Sequence, residues 1–281
     1  MDNRPILFLD SGIGGLPYSD FFRRHNRDEA LVYVADRARF PYGARRREEL
    51  IEGLCSLMET LIRRFNPKLA ALVCNTASVS ALDSLRRRFP GLPWVGTVPA
   101  VKPAVLESRK RHIAVLGTER TIEDPYIREL AIRYGNDCRI SGIAAPELVE
   151  FVEYRCLRAS PGERRDVVEP YVGHIRQKGA DALVLGCTHF LFLAGEFRAA
   201  AGKDIQVYDS VAGISRRMSA LLDEGNLRSE NARSENARSE NAPALLVLTG
   251  EEAPGDDWLE RAAAFGMEPR LLGECIKEEP L

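Results

Sequence analysis

The sequence predicts an α/β fold of two similar domains, each a mostly parallel sheet flanked by helices, facing one another across a cleft. Three observations carry this. Apolar runs of strand length alternate with amphipathic stretches along nearly all 281 residues, the order typical of parallel-sheet proteins. Apolar content of 45% and charged content of 28% are those of an ordinary globular protein. Two distant runs also end alike, one as Lys68-Leu-Ala-Ala-Leu-Val-Cys74-Asn75-Thr76-Ala-Ser78 and one as Asp181-Ala-Leu-Val-Leu-Gly-Cys187-Thr188-His189-Phe190. Each reads as a strand buried on both faces, and ligands of open parallel sheets bind beyond the carboxyl ends of such strands.

In chain order, strands are predicted over 6–9, 31–34, 69–73, 94–95, 113–116, 182–185, 205–208 and 245–248. The clearest helix spans 46–65, where Leu50, Ile51, Leu54, Leu57, Met58, Leu61, Ile62 and Phe65 recur at helical spacing. Asn66-Pro67 ends it, because proline restricts the residue before it. A boundary near Gly96-Thr97-Val98-Pro99 and a return near Asp209 divide the chain. Residues 1–98 with 209–281 form a first domain carrying Cys74, and 99–208 a second carrying Cys187. Residues 228–242 are three identical copies of Arg-Ser-Glu-Asn-Ala. They lack large apolar side chains and read as a surface loop or helix extension.

A formal net charge of −2 gives no pull toward nucleic acid or an anionic membrane. No apolar stretch could span a bilayer, and Met1-Asp2-Asn3-Arg4-Pro5 leads straight into the first strand. A cytoplasmic protein is expected. The six cysteines show no Cys-x-x-Cys and read as reduced thiols, with neither disulfide frame nor metal site. Cys55, Cys138, Cys156 and Cys275 have no shared context and read as structural. Cys74 and Cys187 differ, because both sit at a strand end beside small polar residues. His25, His112 and His174 lie in polar, helix-like surroundings and read as surface groups. His189, two residues past Cys187, could tune that thiol or supply a proton.

Asp10-Ser11-Gly12-Ile13-Gly14-Gly15-Leu16-Pro17 follows the first strand. Gly12, Gly14 and Asp36 partly match a dinucleotide fingerprint, but Pro17 occupies the third glycine position. A tight turn whose backbone N–H groups receive a carboxylate fits as well.

Taken in order, these segments resemble the glutamate racemase family of the cofactor-independent aspartate/glutamate racemase superfamily. The resemblance rests on Asp10-Ser-Gly-Ile-Gly-Gly15, Asp36 with Pro41-Tyr42-Gly43, Cys74-Asn75-Thr76-Ala77-Ser78, Val98-Pro99-Ala-Val-Lys-Pro103, Leu116-Gly117-Thr118 through Thr121, and Leu185-Gly186-Cys187-Thr188-His189-Phe190. It implies interconversion of L- and D-glutamate in an inter-domain cleft, without pyridoxal phosphate, other cofactor or metal, supplying D-glutamate for peptidoglycan. It makes Cys74 and Cys187 the acid/base pair, with Asp10 beside the first and His189 beside the second. Asp36 and Glu153 are implied as further acidic groups of the site. Ser11, Pro41, Tyr42, Gly43, Asn75, Thr76, Thr118, Thr121 and Thr188 correspond to substrate-binding positions. Leu191 where the family has proline, the Leu16-Pro17-Tyr18-Ser19 helix start and the pentapeptide expansion depart from its pattern. The partner expected is small-molecule glutamate, with a homodimer left open.

The chemistry suits these residues. With no cofactor as electron sink, hydrogen bonds must stabilise a carbanion formed next to a carboxylate, a task for Ser11, Asn75, Thr76 and Thr188. A free thiol titrates near ~8.5, so both its forms are within reach of neutrality. Three rival readings stand beside this one. They are a racemase or decarboxylase of the same superfamily acting on another substrate such as aspartate, a nicotinamide-dependent oxidoreductase, and a non-catalytic binding protein.

Overall fold

The computed structural model describes residues 2–135, 138–229 and 242–277. In chain order its strands are β1 (Ile6–Asp10), β2 (Leu31–Ala35), β3 (Leu69–Leu72), β4 (Trp94–Gly96), β5 (His112–Gly117), β6 (Arg139–Ala144), β7 (Ala182–Leu185), β8 (Gln206–Tyr208), β9 (Ala244–Leu248) and β10 (Glu268–Leu271). Its helices are α1 (Leu16–His25), α2 (Arg47–Phe65), α3 (Asn75–Arg88), α4 (Val101–Glu107), α5 (Glu119–Glu123), α6 (Pro125–Tyr134), α7 (Pro146–Tyr154), α8 (Pro161–Lys178), α9 (Ala194–Ala201), α10 (Val211–Glu224), α11 (Asp256–Ala264) and α12 (Leu272–Lys277). The chain divides into two compact units, Met1–Thr97 with Val211–Leu281, and Val98–Ser210.

The first unit holds a six-stranded sheet ordered β10-β9-β2-β1-β3-β4, every pairing parallel. Because β1, β2 and β3 are wholly buried, they carry continuous apolar runs rather than alternation. The apolar stripe of α2 (Leu50, Leu54, Leu57, Met58, Leu61, Phe65) packs on that sheet with Leu7, Leu9, Val32, Val34 and Leu72. Asn66 ends α2 in the left-handed region, at φ 43°, which asparagine tolerates better than most residues.

The second unit holds a four-stranded parallel sheet ordered β6-β5-β7-β8. Its core gathers Val101, Val105, Ile113, Val115, Ile127 and Val184. Ser160 and Glu163 form a reciprocal capping box at the start of α8, and Gly179 closes that helix at φ 80°.

Both sheets therefore share one local order, in which the unit's first strand lies between its second and third. In such sheets the connections diverge on either side of the first and third strands, opening a crevice at their carboxyl ends. In the first unit this switch point falls between β1 and β3, the strands that lead to Asp10 and Cys74. In the second it falls between β5 and β7, which lead to Thr118 and Cys187.

Two strands and one histidine differ from expectation. β6 and β10 carry no continuous apolar run, being edge strands with partly exposed burial patterns. His112 is not a surface residue: it opens β5, is buried, and its Nε2 lies 2.9 Å from Ser141 Oγ. Within the pentapeptide repeats, residues 230–241 lie outside those described, and with them most of the expected loop.

Candidate active site

In the first unit β1 ends at Asp10, whose Oδ1 accepts from Ser11 N (2.5 Å), Ser11 Oγ (3.2 Å) and Gly12 N (3.4 Å). The turn thus directs two of its N–H groups at the chain's own carboxylate, where the sequence suggested they would meet a bound one. Tyr33, wholly buried at the centre of β2, braces the same turn. Its hydroxyl donates to Gly12 O (2.8 Å) and accepts from Gly15 N (3.1 Å). Any Cβ at Gly15 would collide with Val73 and come within 3.0 Å of both Asp10 Oδ2 and Tyr33 Oη. Only glycine fits there.

Cys74 follows β3 and caps α3 with extended backbone, φ −136° and ψ 120°. Asn75 and Thr76 form the first helical turn, where backbone N–H groups lack helical partners and favour negative charge. Asn75 is 2% exposed, yet neither its Oδ1 nor its Nδ2 has a hydrogen-bond partner among the described residues. Leaving such an amide unpaired costs about 1–3 kcal/mol, which a ligand offering both a donor and an acceptor would offset.

Asp36 follows β2 and is fully buried. Its Oδ1 accepts from Thr249 Oγ1 (2.7 Å) and Arg39 Nη1 (3.1 Å), and its Oδ2 from Tyr42 Oη (2.9 Å) and the same Arg39 nitrogen (3.2 Å). Tyr42 and Gly43 lie in a short 3₁₀ turn entered through a cis Phe40–Pro41 bond. Burial pushes the Tyr42 phenol well above its usual range, and the charges of Asp36 and Cys74 push the same way. It therefore stays protonated and donates. Thr249, Arg39 and Tyr33 were not among the residues singled out from the sequence. Thr249 carried a usable signal, since it follows an apolar strand immediately, as Cys74 and Cys187 nearly do.

In the second unit the Gly186 N–H bonds Leu116 O at 2.6 Å, and a Cβ there would come within 2.9 Å of that same oxygen. This close approach sets Cys187 at the end of β7. Cys187 Sγ lies 3.8 Å from His189 Nδ1, and His189 Nε2 lies 2.9 Å from Glu153 Oε2 on α7. All three side chains are buried. Burial alone would lower the imidazole's affinity for a proton. The hydrogen bonds and charges of Cys187 and Glu153 outweigh it, and His189 is held well above its ordinary range. Thr188 is buried beside them. At the end of β5, Thr118 caps α5 by accepting from Thr121 N (3.3 Å), and the two hydroxyls lie 3.0 Å apart.

Of the other cysteines, Cys156 and Cys275 are buried, while Cys55 and Cys138 are half-buried. His25 and His174 are exposed. Among the described residues no cluster of three or more His, Cys, Asp or Glu side chains could hold a metal ion, and no helix is long and apolar enough to cross a membrane.

Residues 22–216 match the family described as Asp/Glu/Hydantoin racemase. A glutamate racemase of Roseiflexus sp. (strain RS-1) is 39% identical over 224 residues, 80% of this chain and 81% of its own. One from Brucella anthropi is 40% identical over 225 residues, 78% of this chain and 80% of its own. Among solved structures, the Escherichia coli glutamate racemase in complex with L-glutamate and the activator UDP-MurNAc-Ala superposes with a TM-score of 0.80. It is 29% identical, with 95% of this chain and 97% of that one covered. Fold and likeness together define an isomerase of the amino-acid racemase class. The chain belongs to the Asp/Glu/Hydantoin racemase family, among its glutamate racemases.

Proposed function

We propose that the protein interconverts L- and D-glutamate, with Cys74 and Cys187 as the two acid/base groups. The observation that carries this is the placement of one buried thiol at the switch point of each parallel sheet. One thiolate removes the α-proton, leaving an electron pair delocalised into the substrate carboxylate. The other thiol then gives its proton to the opposite face. Each turnover leaves the first sulfur protonated and the second a thiolate, and exchange with water resets the pair. The reverse reaction exchanges the roles.

The Asn75 amide, unpaired among the described residues, and Thr76 at the positive end of α3 suit the substrate's charged groups. Ser11, Thr188, Thr118 and Thr121 supply hydroxyls at the same strand ends, and Gly43 with Pro41 shapes the turn that carries Tyr42. His189, charged and braced by Glu153, presents a proton beside the Cys187 sulfur. Asp10 orders the Ser11 turn on the Cys74 side, while Asp36, engaged by three donor side chains, serves to hold Tyr42. D-Glutamate for peptidoglycan, made in the cytoplasm, is the corresponding physiological role.

The test is direct. Purified protein is incubated with L-glutamate, without added cofactor, and its circular dichroism is followed. Decay to zero, matched by a mirror-image decay from D-glutamate, is expected. A constant signal, or equal turnover of aspartate, would sink the reading.

A further inference from the structure

We propose that Thr249 and Arg39 are positioning residues for the Cys74 half of the reaction: they fix Asp36, and Asp36 fixes the Tyr42 hydroxyl within the cluster that contains Cys74. The proposal rests on the two-thiol reading above. Thr249 follows β9 and lies outside residues 22–216, the part matched to the family.

Several bonds leave Thr249 little freedom. Its backbone N–H bonds Ala35 O (3.1 Å), continuing the pairing of β9 with β2 to the residue before Asp36. Its carbonyl accepts from Arg37 Nε (3.1 Å), and its hydroxyl accepts from Ala38 N (3.1 Å). With that lone pair taken, the hydroxyl proton is left to point at Asp36 Oδ1, 2.7 Å away. Thr249 is buried, so no water can replace the bond without a rearrangement.

The direction of the chain of bonds matters. A carboxylate only accepts, so Thr249, Arg39 and Tyr42 must all donate to Asp36. The Tyr42 proton is thereby committed, and its oxygen faces its surroundings as an acceptor. Tyr42 packs in one cluster with Cys74, and a charge on that sulfur acts on the phenol. Removing the Thr249 hydroxyl leaves Asp36 Oδ1 held by Arg39 alone, so the carboxylate can turn, and Tyr42 turns with it. Arg39 grips both oxygens from the partly exposed side.

The test compares the parent with Thr249→Val, Thr249→Ser, Arg39→Met and Arg39→Lys. For each, kcat/KM and the primary isotope effect on it are measured with α-deuterated L- and D-glutamate. The enantiomers have equal free energy, so kcat/KM must fall equally in both directions for any variant. The isotope effects need not move together. If only the Cys74 half is disturbed, proton removal by Cys74 becomes more rate-limiting and removal by Cys187 less so. Thr249→Val should lose about tenfold to a hundredfold in kcat/KM, the scale of a misplaced catalytic group. Its isotope effect should rise for one enantiomer and fall for the other, and Thr249→Ser should restore most of the loss.

Thr249→Val indistinguishable from the parent would overturn the proposal. So would isotope effects that move the same way for both enantiomers, or a serine variant as poor as the valine one. Should Thr249→Val fail to fold, Arg39→Met carries the same criteria, with Arg39→Lys as its conservative rescue. A parent that does not racemise glutamate overturns the functional reading; an active parent beside unaffected variants overturns this proposal alone.

Discussion

His189 and Glu153 form a buried pair, Nε2 to Oε2 at 2.9 Å, with the opposite ring nitrogen turned toward Cys187. The pair makes stability depend on pH in a definite direction. The imidazole of His189 binds its proton more tightly in the folded chain than in the unfolded one, where it titrates near ~6.5. Its contribution is therefore complete below about pH 6.5 and is lost as pH rises through the elevated folded value. Glu153→Gln keeps an acceptor but removes the charge. It should cost about 1.5–3 kcal/mol, the range for a hydrogen bond to a charged group. It should also bring the His189 titration down toward neutrality. Urea unfolding at several pH values, with imidazole resonances followed by NMR, checks both. An unchanged His189 titration in the variant would remove Glu153 from its proposed role.

Asn75 should show opposed effects on stability and activity. Its side-chain amide is buried without a partner among the described residues, so replacing it with leucine removes a desolvation cost from the ligand-free protein. The Asn75→Leu variant should melt no lower than the parent, and its stabilisation by added glutamate should vanish. Activity should fall by about two orders of magnitude or more, the scale seen when a site loses an oriented polar group. Thermal melts with and without glutamate, beside kcat/KM, decide this. A marked loss of stability without ligand would mean that the amide bonds within the protein after all.

Much of the fold was legible because buried parallel strands announce themselves. β1, β2, β3, β5 and β7 are built on continuous apolar runs, with Asp10 closing β1 and His112 and Gly117 at the ends of β5, and their predicted spans lie within a residue of those observed at either end. β6 and β10 were not legible, since an edge strand with a wetted face needs no apolar run. His112 was misplaced because Arg109-Lys110-Arg111 before it reads as a polar surface, although the ring turns inward to Ser141. The paired cysteine contexts pointed to both strand ends. What the sequence could not display was Thr249 on Asp36, a contact across 213 positions that exists only because β9 pairs with β2.

The start of the pentapeptide tract belongs to the folded core. Lys68 and Glu29, both fully buried, pair at 2.5 Å on the amino-terminal side of the first sheet. Ser229 of the first copy donates to Glu29 Oε2 (2.8 Å) and accepts from Lys68 Nζ (3.0 Å), while Arg228 holds Asp223 and Asn26. Beyond the tract, Ala242 N bonds Arg27 O, two positions from Glu29. Both ends of the segment are therefore tied to one short stretch. Deleting residues 230–239 leaves a single Arg-Ser-Glu-Asn-Ala copy, and its two remaining residues between Ser229 and Ala242 can bridge such a gap at about 3.3–3.6 Å each. This variant should keep activity and melting temperature close to the parent's. Lys68→Met, which strands Glu29, should cost about 3–5 kcal/mol, and adding Glu29→Gln should restore part of it. A repeat deletion that folds but loses activity would show a role for the tract beyond its first two residues.

The division of labour between the thiols gives the sharpest prediction. If Cys74 and Cys187 serve opposite faces of the α-carbon, the proton removed by one is never the proton returned by the other. In deuterated water the earliest product enantiomer should therefore carry solvent deuterium at the α-carbon, while unreacted substrate stays largely protonated. A single base serving both faces would instead return part of the original proton to the product. Changing either cysteine to alanine should abolish racemisation, costing more than the ~10²–10⁴-fold typical of one general acid or base, because each direction needs both groups. Such a variant keeps one thiol, so it can still eliminate HCl from a β-chlorinated glutamate: loss of the α-proton and departure of chloride need a base on one face only. Cys74→Ala should retain this elimination with one enantiomer and Cys187→Ala with the other. Mass spectrometry of chirally resolved glutamate at low conversion, with chloride release measured on both variants, tests the scheme. Product that keeps most of its original α-proton, or elimination by both variants from the same enantiomer, would overturn the assignment of one thiol to each face.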